Sequence, residues 1–420
     1  MPSAWIIGVG STVFGRQPTL THRDLATQVI TSTLADAALA SAATIGSVWF
    51  ASVMSDYWGQ ALQRGQATLL PLLRSGVLPS RVPITNVEAA CASGSVAFHN
   101  AVKDVLSGEA EASLAVGVEK LFDPRDRERI LKWFQLGEAP FDLEDIISSY
   151  RAVSAKHGLS FAPRSDRSLP MDTYSVQAQL HMKRYGTTLK QLALVASKNR
   201  LHASMNPKAH HQVGITPAEV LSDKPIAGPL TRAMCAPMTD GASAVLVVSS
   251  DALNRCSAET RANAIRVRAV ASSGGKYSAP YEPSLTRYAA DLAYERAGLG
   301  PSDIDLAEVH DATAYCEIYQ SEMLGFCDIG EGGPLVESGA SQLGGRRPIN
   351  VSGGLVGKGH PIAATGLSMI GELVTQLRGK AASRQVEGAR LALHQNGGGI
   401  MGFEEALCVV SILEQPQRRV

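Results

Sequence analysis

The chain has 420 residues, and its 39 basic residues balance 39 acidic ones, so no net charge attracts nucleic acid or an anionic membrane. Hydrophobic residues make up 45% and charged residues 19%, as in globular α/β proteins of two or three domains. The N-terminus lacks a secretory signal, and the C-terminal "QPQRRV" is neither a prenylation box nor a receptor-read address. Six scattered cysteines without a CxxC pair argue against disulfides or a metal site. We therefore expect a reduced, cytoplasmic enzyme.

Apolar runs and helical patterns alternate along the first 120 residues. Short apolar runs predict strands over 4–10, 47–53, 82–88 and 112–120. Amphipathic spacing predicts helices over 25–39 and about 91–107. Alternation of this kind is typical of a layered α/β domain.

The alternation stops over residues 121–230, which are rich in charges and prolines and hold two helical patterns at 173–186 and 189–202. We interpret this segment as a domain inserted into the α/β fold. A strand predicted over 242–250 then returns the chain to the first sheet.

A second alternating region begins after Asn263. It contains predicted strands over 264–273, 304–311, 389–396 and 405–413, and predicted helices over 284–299, from about 313, and over 359–379. In both halves a turn of small residues opens a long helix that leads into an apolar strand, which indicates an internal duplication. The predicted division is 1–120 with 231–262, an inserted loop domain over 121–230, and 263–420. The duplication would place Cys91 and His360 at equivalent helix N-termini.

Cys91 stands among small residues in "NVEAACASGSVAFHNAV". The start of a helix lowers a thiol's pKa, and its N–H groups can stabilise an oxyanion, so Cys91 is a candidate nucleophile. A cysteine between alanine and glycine can equally be a packed core residue. Local sequence alone leaves both interpretations open.

Three further strand ends or glycine turns carry candidate groups. His360 lies in "NVSGGLVGKGHPIAATG", with Pro361 at the predicted first helical position, and can act as a general base; the pattern fits no phosphate-binding glycine loop. His310 and Asp311 end a predicted strand, where α/β sites usually lie. "LALHQNGGGIMGFEEA" offers His394, Asn396 and successive glycines at another strand end, although the glycines can also form a tight hairpin.

These segments resemble the thiolase superfamily, most nearly the sterol carrier protein type, over almost the whole chain. "ACASGSVA" resembles the nucleophile loop, "GGLVGKGHPIAATG" the Gly-His-Pro motif and "EVHDATAYCE" the His-Asp-Cys-Phe segment. "YGTTLKQLALVASKNRLHASMNPKA" resembles the loop domain, and "CAPMTDGASAVLV" the return to the first half. The resemblance implies a duplicated, five-layered αβαβα fold with an inserted loop domain, a tight homodimer, and acyl transfer from coenzyme A thioesters without a tightly bound cofactor.

Carried over by position, the resemblance assigns roles to individual residues. Cys91 is the acylated nucleophile and His360 deprotonates it. His310 contributes an oxyanion hole for the thioester oxygen. The backbone N–H groups of Cys91 and Gly397 form a second hole for the acyl-enzyme carbonyl.

The chain departs from the family pattern at the second cysteine, which moves the α-carbon proton in Claisen chemistry. One of its two known places holds Gln395 and the other holds Ala312. Candidate replacements are Cys316, which would lie one helical turn beyond Ala312 on the same helical face, together with Tyr315 and His394. A further alternative is that no replacement exists and the substrate is acidic enough by itself.

The absence of the second cysteine widens the range of functions that the resemblance allows. Thiolase-like subunits without this cysteine act on activated substrates, such as acylated phenols or aromatic β-keto thioesters, others are aldolases, and many work with a small zinc-ribbon and OB-fold acyl-CoA-binding partner. The leading hypothesis is a 3-oxoacyl-CoA thiolase-like acyltransferase; the alternatives are a thiolase-fold aldolase or complex subunit, and a non-catalytic acyl-CoA- or lipid-binding subunit. The resemblance also predicts coenzyme A over the loop domain, near cations in two helical patches: Lys183, Arg184, Lys198 and Arg200.

Overall fold

The computed structural model describes residues 2–39, 44–138, 143–276 and 279–416, without the side chains of 127 and 134–138. The end of the C-terminal "QPQRRV" therefore lies outside the described residues. Within the described ranges, no helix is both long and apolar enough to cross a bilayer.

Eleven strands and fifteen α-helices are present in the described residues. The strands are β1 (Ala4–Ser11), β2 (Ser47–Ala51), β3 (Ile84–Val87), β4 (Ala112–Glu119), β5 (Pro225–Ala227), β6 (Leu230–Thr231), β7 (Gly241–Ser249), β8 (Ile265–Gly274), β9 (Leu306–Val309), β10 (Leu391–Gly398) and β11 (Leu407–Glu414). The helices are α1 (His22–Asp36), α2 (Arg64–Arg74), α3 (Ser93–Ser107), α4 (Arg127–Glu138), α5 (Leu143–Lys156), α6 (Leu169–Tyr185), α7 (Leu189–Ser204), α8 (Pro217–Ser222), α9 (Ser250–Asn254), α10 (Ala258–Asn263), α11 (Leu285–Ala297), α12 (Ala314–Met323), α13 (Gly332–Glu337), α14 (Gly354–Lys358) and α15 (Ile362–Leu377).

Nine strands form one mixed sheet in the order β3-β2-β4-β7-β1-β8-β11-β10-β9. The two halves meet where Ala4–Ile6 of β1 pairs antiparallel with residues 265–267 of β8. Beyond β9, Ile349 makes a parallel bridge to Ala307, in the place that β3 has beside β2. The strand orders of the two halves therefore correspond, as the predicted duplication requires.

Helices cover the two half-sheets in layers. The central helices α3 and α15 pack between them and bury apolar side chains such as Phe98 and Leu367. On the far side of the first half-sheet lie α1 and α2, with Val29 and Leu69 buried there, and α11 covers the far side of the second. This α-β-α-β-α arrangement is the predicted five-layered fold.

The helices α4 to α8 and the hairpin of β5 and β6 lie in sequence between β4 and β7. All of them fall within the predicted insertion of 121–230 except Thr231, the last residue of β6. Some boundaries follow directly from local chemistry, because Thr188 caps α7 in a capping box with Gln191. The helix α2 between β2 and β3 was not predicted. The domain limits given above stay a proposal.

Candidate active site

Cys91 lies in a tight turn between β3 and α3. The predicted helix from residue 91 begins instead at Ser93, because Ala90 has φ +47° and the chain makes a 3₁₀ turn over Ala90–Ala92 first. Glu88 Oε1 accepts the Ala90 N–H at 2.6 Å, and Ser93 Oγ accepts the Ala89 N–H at 2.9 Å. These contacts hold an alanine in the left-handed region and fix the thiol just ahead of the helix.

The thiol of Cys91 faces the imidazole of His360, with Sγ 3.3 Å from Nε2. His360 Nδ1 lies 2.7 Å from Thr365 Oγ1, whose own proton goes to the Pro361 carbonyl at 3.0 Å. Thr365 must therefore accept from Nδ1–H, which leaves the lone pair of Nε2 directed at the thiol. Burial, followed by the nearby His310, holds the pKa of His360 well below its ordinary value, so the ring is neutral and can accept a proton.

Two details here differ from the sequence prediction. The helix α15 begins at Ile362, so Pro361 is its N-cap and not its first helical residue. Thr365 was not predicted as a functional residue. A threonine five positions after the histidine, in "GHPIAAT", is the signal that was available in the sequence.

His310 follows β9 and presents its ring to the same site. The ring centroid lies 5.5 Å from that of His360, and burial lowers the pKa of His310 to about 4. Among the described residues neither ring nitrogen has a hydrogen-bond partner, although both are buried. Buried polar groups are nearly always satisfied, so these nitrogens are suited to meet a substrate atom.

The sulfur of Cys91 and ring nitrogens of His310 and His360 all lie within 4.8 Å of one another. Such a group of atoms could ligate a zinc ion. It could equally act on a thioester, as nucleophile, base and hydrogen-bond donor. The Cys91–His360 hydrogen bond and the tautomer set by Thr365 fit the second use directly.

Asp311 holds the glycine turn that leads to His360. Its carboxylate accepts the backbone N–H of Leu355 at 2.6 Å and the Asn199 side-chain amide at 2.8 Å. A Cβ on Gly354, which has φ +57°, would lie 2.3 Å from Asp311 Oδ2. The turn therefore needs glycine so that the backbone can approach a buried carboxylate, and Asp311 has a positioning role.

The end of β10 packs against the turn that carries Cys91. A Cβ on Gly398 would lie 2.4 Å from the Ala92 nitrogen and 2.7 Å from the Cys91 nitrogen. Close backbone approach therefore requires glycine here. Gly397, assigned by resemblance to the second oxyanion hole, is the adjacent residue on this strand.

Neither place of the family's second cysteine holds a titratable group. Gln395 Oε1 accepts the His310 backbone N–H at 3.0 Å, and its Nε2 donates to Thr286 Oγ1 at 3.2 Å. Ala312 precedes α12, which begins at Ala314, so the expectation that Ala312 and Cys316 share a helical face is wrong. The N-cap Thr313 separates Ala312 from the helix.

The three proposed replacements lie in packed surroundings. Burial raises the pKa of the Cys316 thiol to about 12 and that of Tyr315 well above its ordinary value. His394 Nε2 lies 3.1 Å from Ser95 Oγ, and burial followed by Lys358 lowers its pKa to about 3. The Cys316 thiol and the Tyr315 phenol therefore keep their protons at neutral pH, and the His394 side chain is directed at Ser95 on α3.

A cavity of about 810 Å³ is lined in part by residues that contact the Cys91–His360 site. Its lining includes Pro237, whose carbonyl accepts the backbone N–H of His360 at 3.3 Å. It also includes Met238, which packs in the same cluster as Cys91. The lining also has four arginines and two histidines, together with apolar residues and four acidic ones: Arg16, Arg167, Arg200, Arg232, His210, His211, Asp123, Asp166, Glu219 and Asp223. The volume suits a small-molecule ligand, and the arginines suit phosphate groups.

The cations predicted to bind coenzyme A do not share one surface. Lys198 is wrong as a surface cation, because it is buried in an ion pair with Glu317 at 2.9 Å. Lys183 and Arg184 are exposed at the end of α6. Arg200 lines the cavity, whereas the other arginines of the lining were not predicted.

Family models match the chain twice, as the thiolase N-terminal domain over residues 4–226 and as the thiolase C-terminal domain-like family over residues 241–412. The chain belongs to the thiolase family. Among curated relatives, this thiolase-family chain is 33% identical to an acetyl-CoA acetyltransferase of Methanothermobacter thermautotrophicus, over 94% of this chain and 96% of the relative. It is 31% identical to the benzoylsuccinyl-CoA thiolase subunit BbsB of Thauera aromatica, over 94% of both chains.

Solved structures support the same fold. A structure titled "Ltp2-ChsH2(DUF35) aldolase" matches with a TM-score of 0.76 and 22% identity, over 99% of this chain and 98% of that chain. Human mitochondrial 3-ketoacyl-CoA thiolase in complex with CoA matches with a TM-score of 0.67 and 21% identity, over 99% of this chain and 98% of that chain. These structures show the fold. The family itself is one of coenzyme A acyltransferases.

Proposed function

We propose that this enzyme transfers an acyl group from a coenzyme A thioester through an acyl-Cys91 intermediate, on an activated β-keto or aromatic acyl substrate. One observation carries the proposal: Cys91 Sγ lies 3.3 Å from His360 Nε2, and Thr365 fixes the tautomer in which that nitrogen accepts a proton. A thiol becomes an effective nucleophile when a neighbouring base takes its proton.

The acyl transfer follows from these positions. His360 takes the thiol proton, and the sulfur of Cys91 attacks the acyl carbonyl. Negative charge on the thioester oxygen meets an N–H of His310, and charge on the acyl-enzyme oxygen meets the backbone N–H groups of Cys91 and Gly397. Fixed donors at these points stabilise the transition state more than the ground state.

We assign the coenzyme A moiety to the cavity of Arg16, Arg200 and Arg232. The assignment rests on Pro237 and Met238, which link the cavity to the Cys91–His360 site, and on the affinity of guanidinium groups for phosphate. Because Gln395 and Ala312 replace the family's second cysteine, substrates that release a stabilised carbanion fit the site best. An acylated phenol, a β-diketone or an aryl β-keto thioester is of this kind.

Intact-protein mass spectrometry after exposure to acetyl-CoA tests the acyl-enzyme directly. The parent chain should gain one acetyl group on Cys91, and Cys91→Ala should gain none while keeping its fold. Cys235→Ala is the matched control, because Cys235 lines the same cavity and burial raises its pKa to about 12. A chelator should leave the adduct in place. An unmodified parent chain would favour the aldolase or the silent acyl-CoA-binding subunit.

Charge reversal separates the two proposed coenzyme A surfaces. Arg16→Glu, in the cavity, should raise the Michaelis constant for acyl-CoA and spare alkylation of Cys91 by a small reagent. Lys183→Glu, on the exposed end of α6, is the control and should change neither value. The opposite pattern would return coenzyme A to the surface predicted from sequence.

The partners are also proposals. A homodimer follows from family resemblance, and a small zinc-ribbon and OB-fold protein is supported by two relatives. One is described as a thiolase subunit, and the other is titled as a complex with a DUF35 protein. If such a partner completes the enzyme, the isolated chain should form the acyl adduct but turn over slowly until the partner is added.

A further inference from the structure

We propose that Glu405 moves the α-carbon proton that the family's second cysteine moves elsewhere. The inference rests on the proposed function, because it concerns making or breaking a carbon–carbon bond at acyl-Cys91. Glu405 lies in the loop between β10 and β11, in "IMGFEEA". None of the roles assigned above uses it.

The carboxyl of Glu405 lies against Gly397, the residue assigned by resemblance to the second oxyanion hole. A Cβ built on Gly397 would be 2.9 Å from Glu405 Oε1 and 2.9 Å from its carboxyl carbon. Because a C–C bond is about 1.5 Å, Oε1 is within about 4.5 Å of the Gly397 Cα. An acyl group whose oxygen meets the Gly397 N–H would therefore lie near this carboxyl.

The same carboxyl also contacts α12, the helix that begins two residues after Ala312. Gln320 Nε2 on α12 donates to Glu405 Oε1 at 3.0 Å, and Gln320 lies one helical turn after Cys316. Glu405 thus stands between β10, which carries Gln395, and the helix that follows Ala312. Gln395, one of the two places where the family has its cysteine, lies two residues before Gly397 on β10 and so shares the strand face that this carboxyl covers.

Glu405 differs from the neighbouring Glu404 in what holds it. Glu404 accepts two backbone N–H groups, from Lys276 at 2.7 Å and from Leu285 at 2.8 Å, and so has a structural role. Glu405 contacts an amide side chain whose Oε1 is buried without a partner in the described residues. A carboxamide can donate to a carboxylate or, after turning, accept from a carboxylic acid, so Gln320 can serve both protonation states.

The surroundings also allow Glu405 to hold a proton. Burial, followed by the charge of Glu404, raises its pKa to about 7. The other titratable groups that face it are Cys316 and Tyr319 on α12, Cys408 on β11 and Tyr150 on α5. Burial keeps these thiols and phenols protonated at neutral pH, so they contribute no charge. A group with a pKa near the working pH transfers protons in either direction.

In thiolytic cleavage Glu405 would donate its proton to the α-carbon. The Cys91 thiolate attacks the β-carbonyl and forms a C–S bond, and the bond between the α- and β-carbons breaks. Its electron pair passes to the α-carbon, which takes the proton of the Glu405 carboxyl and leaves as acyl-CoA. The thiol of free coenzyme A then attacks the acyl-Cys91 and forms a new C–S bond, and the bond between the acyl carbon and Cys91 Sγ breaks. The Cys91 thiolate takes its proton back from His360, and the proton of coenzyme A restores the protonated Glu405 through solvent.

The test compares two reactions in the full chain. Acetylation of Cys91 by acetyl-CoA needs no α-carbon proton, whereas thiolysis of acetoacetyl-CoA and exchange of the acetyl-CoA α-protons in D₂O both need one. In Glu405→Gln, acetylation should match the parent, while thiolysis and exchange should fall by about 10²–10⁴-fold. Glu405→Asp should recover part of the loss. Cys316→Ala is the control and should keep both proton-dependent reactions.

Other results would contradict the proposed role of Glu405 or the proposed function. Parental thiolysis or exchange in Glu405→Gln would overturn the proposal, and so would equal loss of acetylation, which indicates structural support. A parent chain that is acetylated but neither cleaves nor exchanges would also contradict it. Failure of the parent to be acetylated at all would instead contradict the proposed function.

Discussion

A single hydroxyl sets the chemistry of the reactive pair. Because Thr365 passes its own proton to the Pro361 carbonyl, it accepts the N–H at Nδ1 of His360 and leaves Nε2 free to face Cys91. Burial keeps the ring neutral. The proposed base is thus neutral in the absence of substrate, and its protonation state is set by burial and by the neighbouring His310.

We predict that acetylation of Cys91 persists in mild acid. The ordinary pKa of histidine is about 6.5, and the pKa of His360 is held well below it, so the base stays unprotonated as the pH falls through 6.5. The acidic limb of the rate should lie below that value. Initial rates of adduct formation, measured by mass spectrometry across the pH range, check this.

Thr365→Val tests the tautomer of His360, because it removes the hydroxyl that accepts the Nδ1–H. Loss of a hydrogen bond worth about 1.4 kcal/mol should slow acetylation about tenfold. A limb centred at 6.5 in the parent chain, or unchanged acetylation in this variant, would contradict the assigned base.

A second prediction concerns the vacant cysteine position. Formation of acetoacetyl-CoA from two acetyl-CoA molecules must remove a weakly acidic α-proton. With the Glu405 carboxylate as the proposed base in place of a thiolate, the parent chain should condense acetyl-CoA more slowly than it cleaves acetoacetyl-CoA. Ala312→Cys should improve condensation, because it restores a thiol where the family has one. Cys316→Ala should change little, since that thiol is packed against Thr313 with a pKa raised to about 12. Efficient condensation that vanishes in Cys316→Ala would make this an ordinary two-cysteine enzyme.

Among the elements, α15 has both structural and functional roles. It packs between the half-sheets, and its first turn approaches β4 so closely that a Cβ on Gly117 would lie 2.1 Å from the Ala363 carbonyl oxygen. Glu119, at the end of β4, accepts the Ala363 N–H at 3.2 Å and the Met54 N–H at 2.9 Å. The start of α15, next to His360, is therefore fixed by the first half of the chain.

We predict a large stability loss on truncating the buried face of this helix. Leu367→Ala should lower the free energy of unfolding by about 2–5 kcal/mol, because Leu367 is fully buried between the two half-sheets. Leu106→Ala on α3, where the side chain is 40% exposed, should cost much less. Urea unfolding followed by circular dichroism compares them. Equal effects would mean that the central layer is not the main core.

At the scale of the whole molecule, one sheet edge is open in the chain described. The strand β3 ends the nine-stranded sheet, and Thr85 and Asn86 on it are exposed. Open edge strands are commonly paired or covered in stable proteins. This edge is therefore the surface on which we place the proposed homodimer.

We predict that Thr85→Lys weakens the dimer. In a twofold pairing of β3 with its copy, the same residues approach each other, so the substitution would bring like charges together. Light scattering should show a dimer for the parent chain and a shift toward monomer for the variant. Leu62→Lys, at an exposed position outside the strand, is the control. Dimers of equal strength in all three chains would move the interface elsewhere.

The sequence by itself determined the layered fold, the duplication and the motifs of Cys91, His310 and His360, because each depends on local periodicity or on short segments. It did not determine that Lys198 is buried, that Cys91 precedes its helix, or that Thr365 orients His360. It gave no reason to single out Glu405 from Glu404. Burial, charge pairing and proton position depend on contacts between segments far apart in the chain, and the folded structure alone brings those segments together.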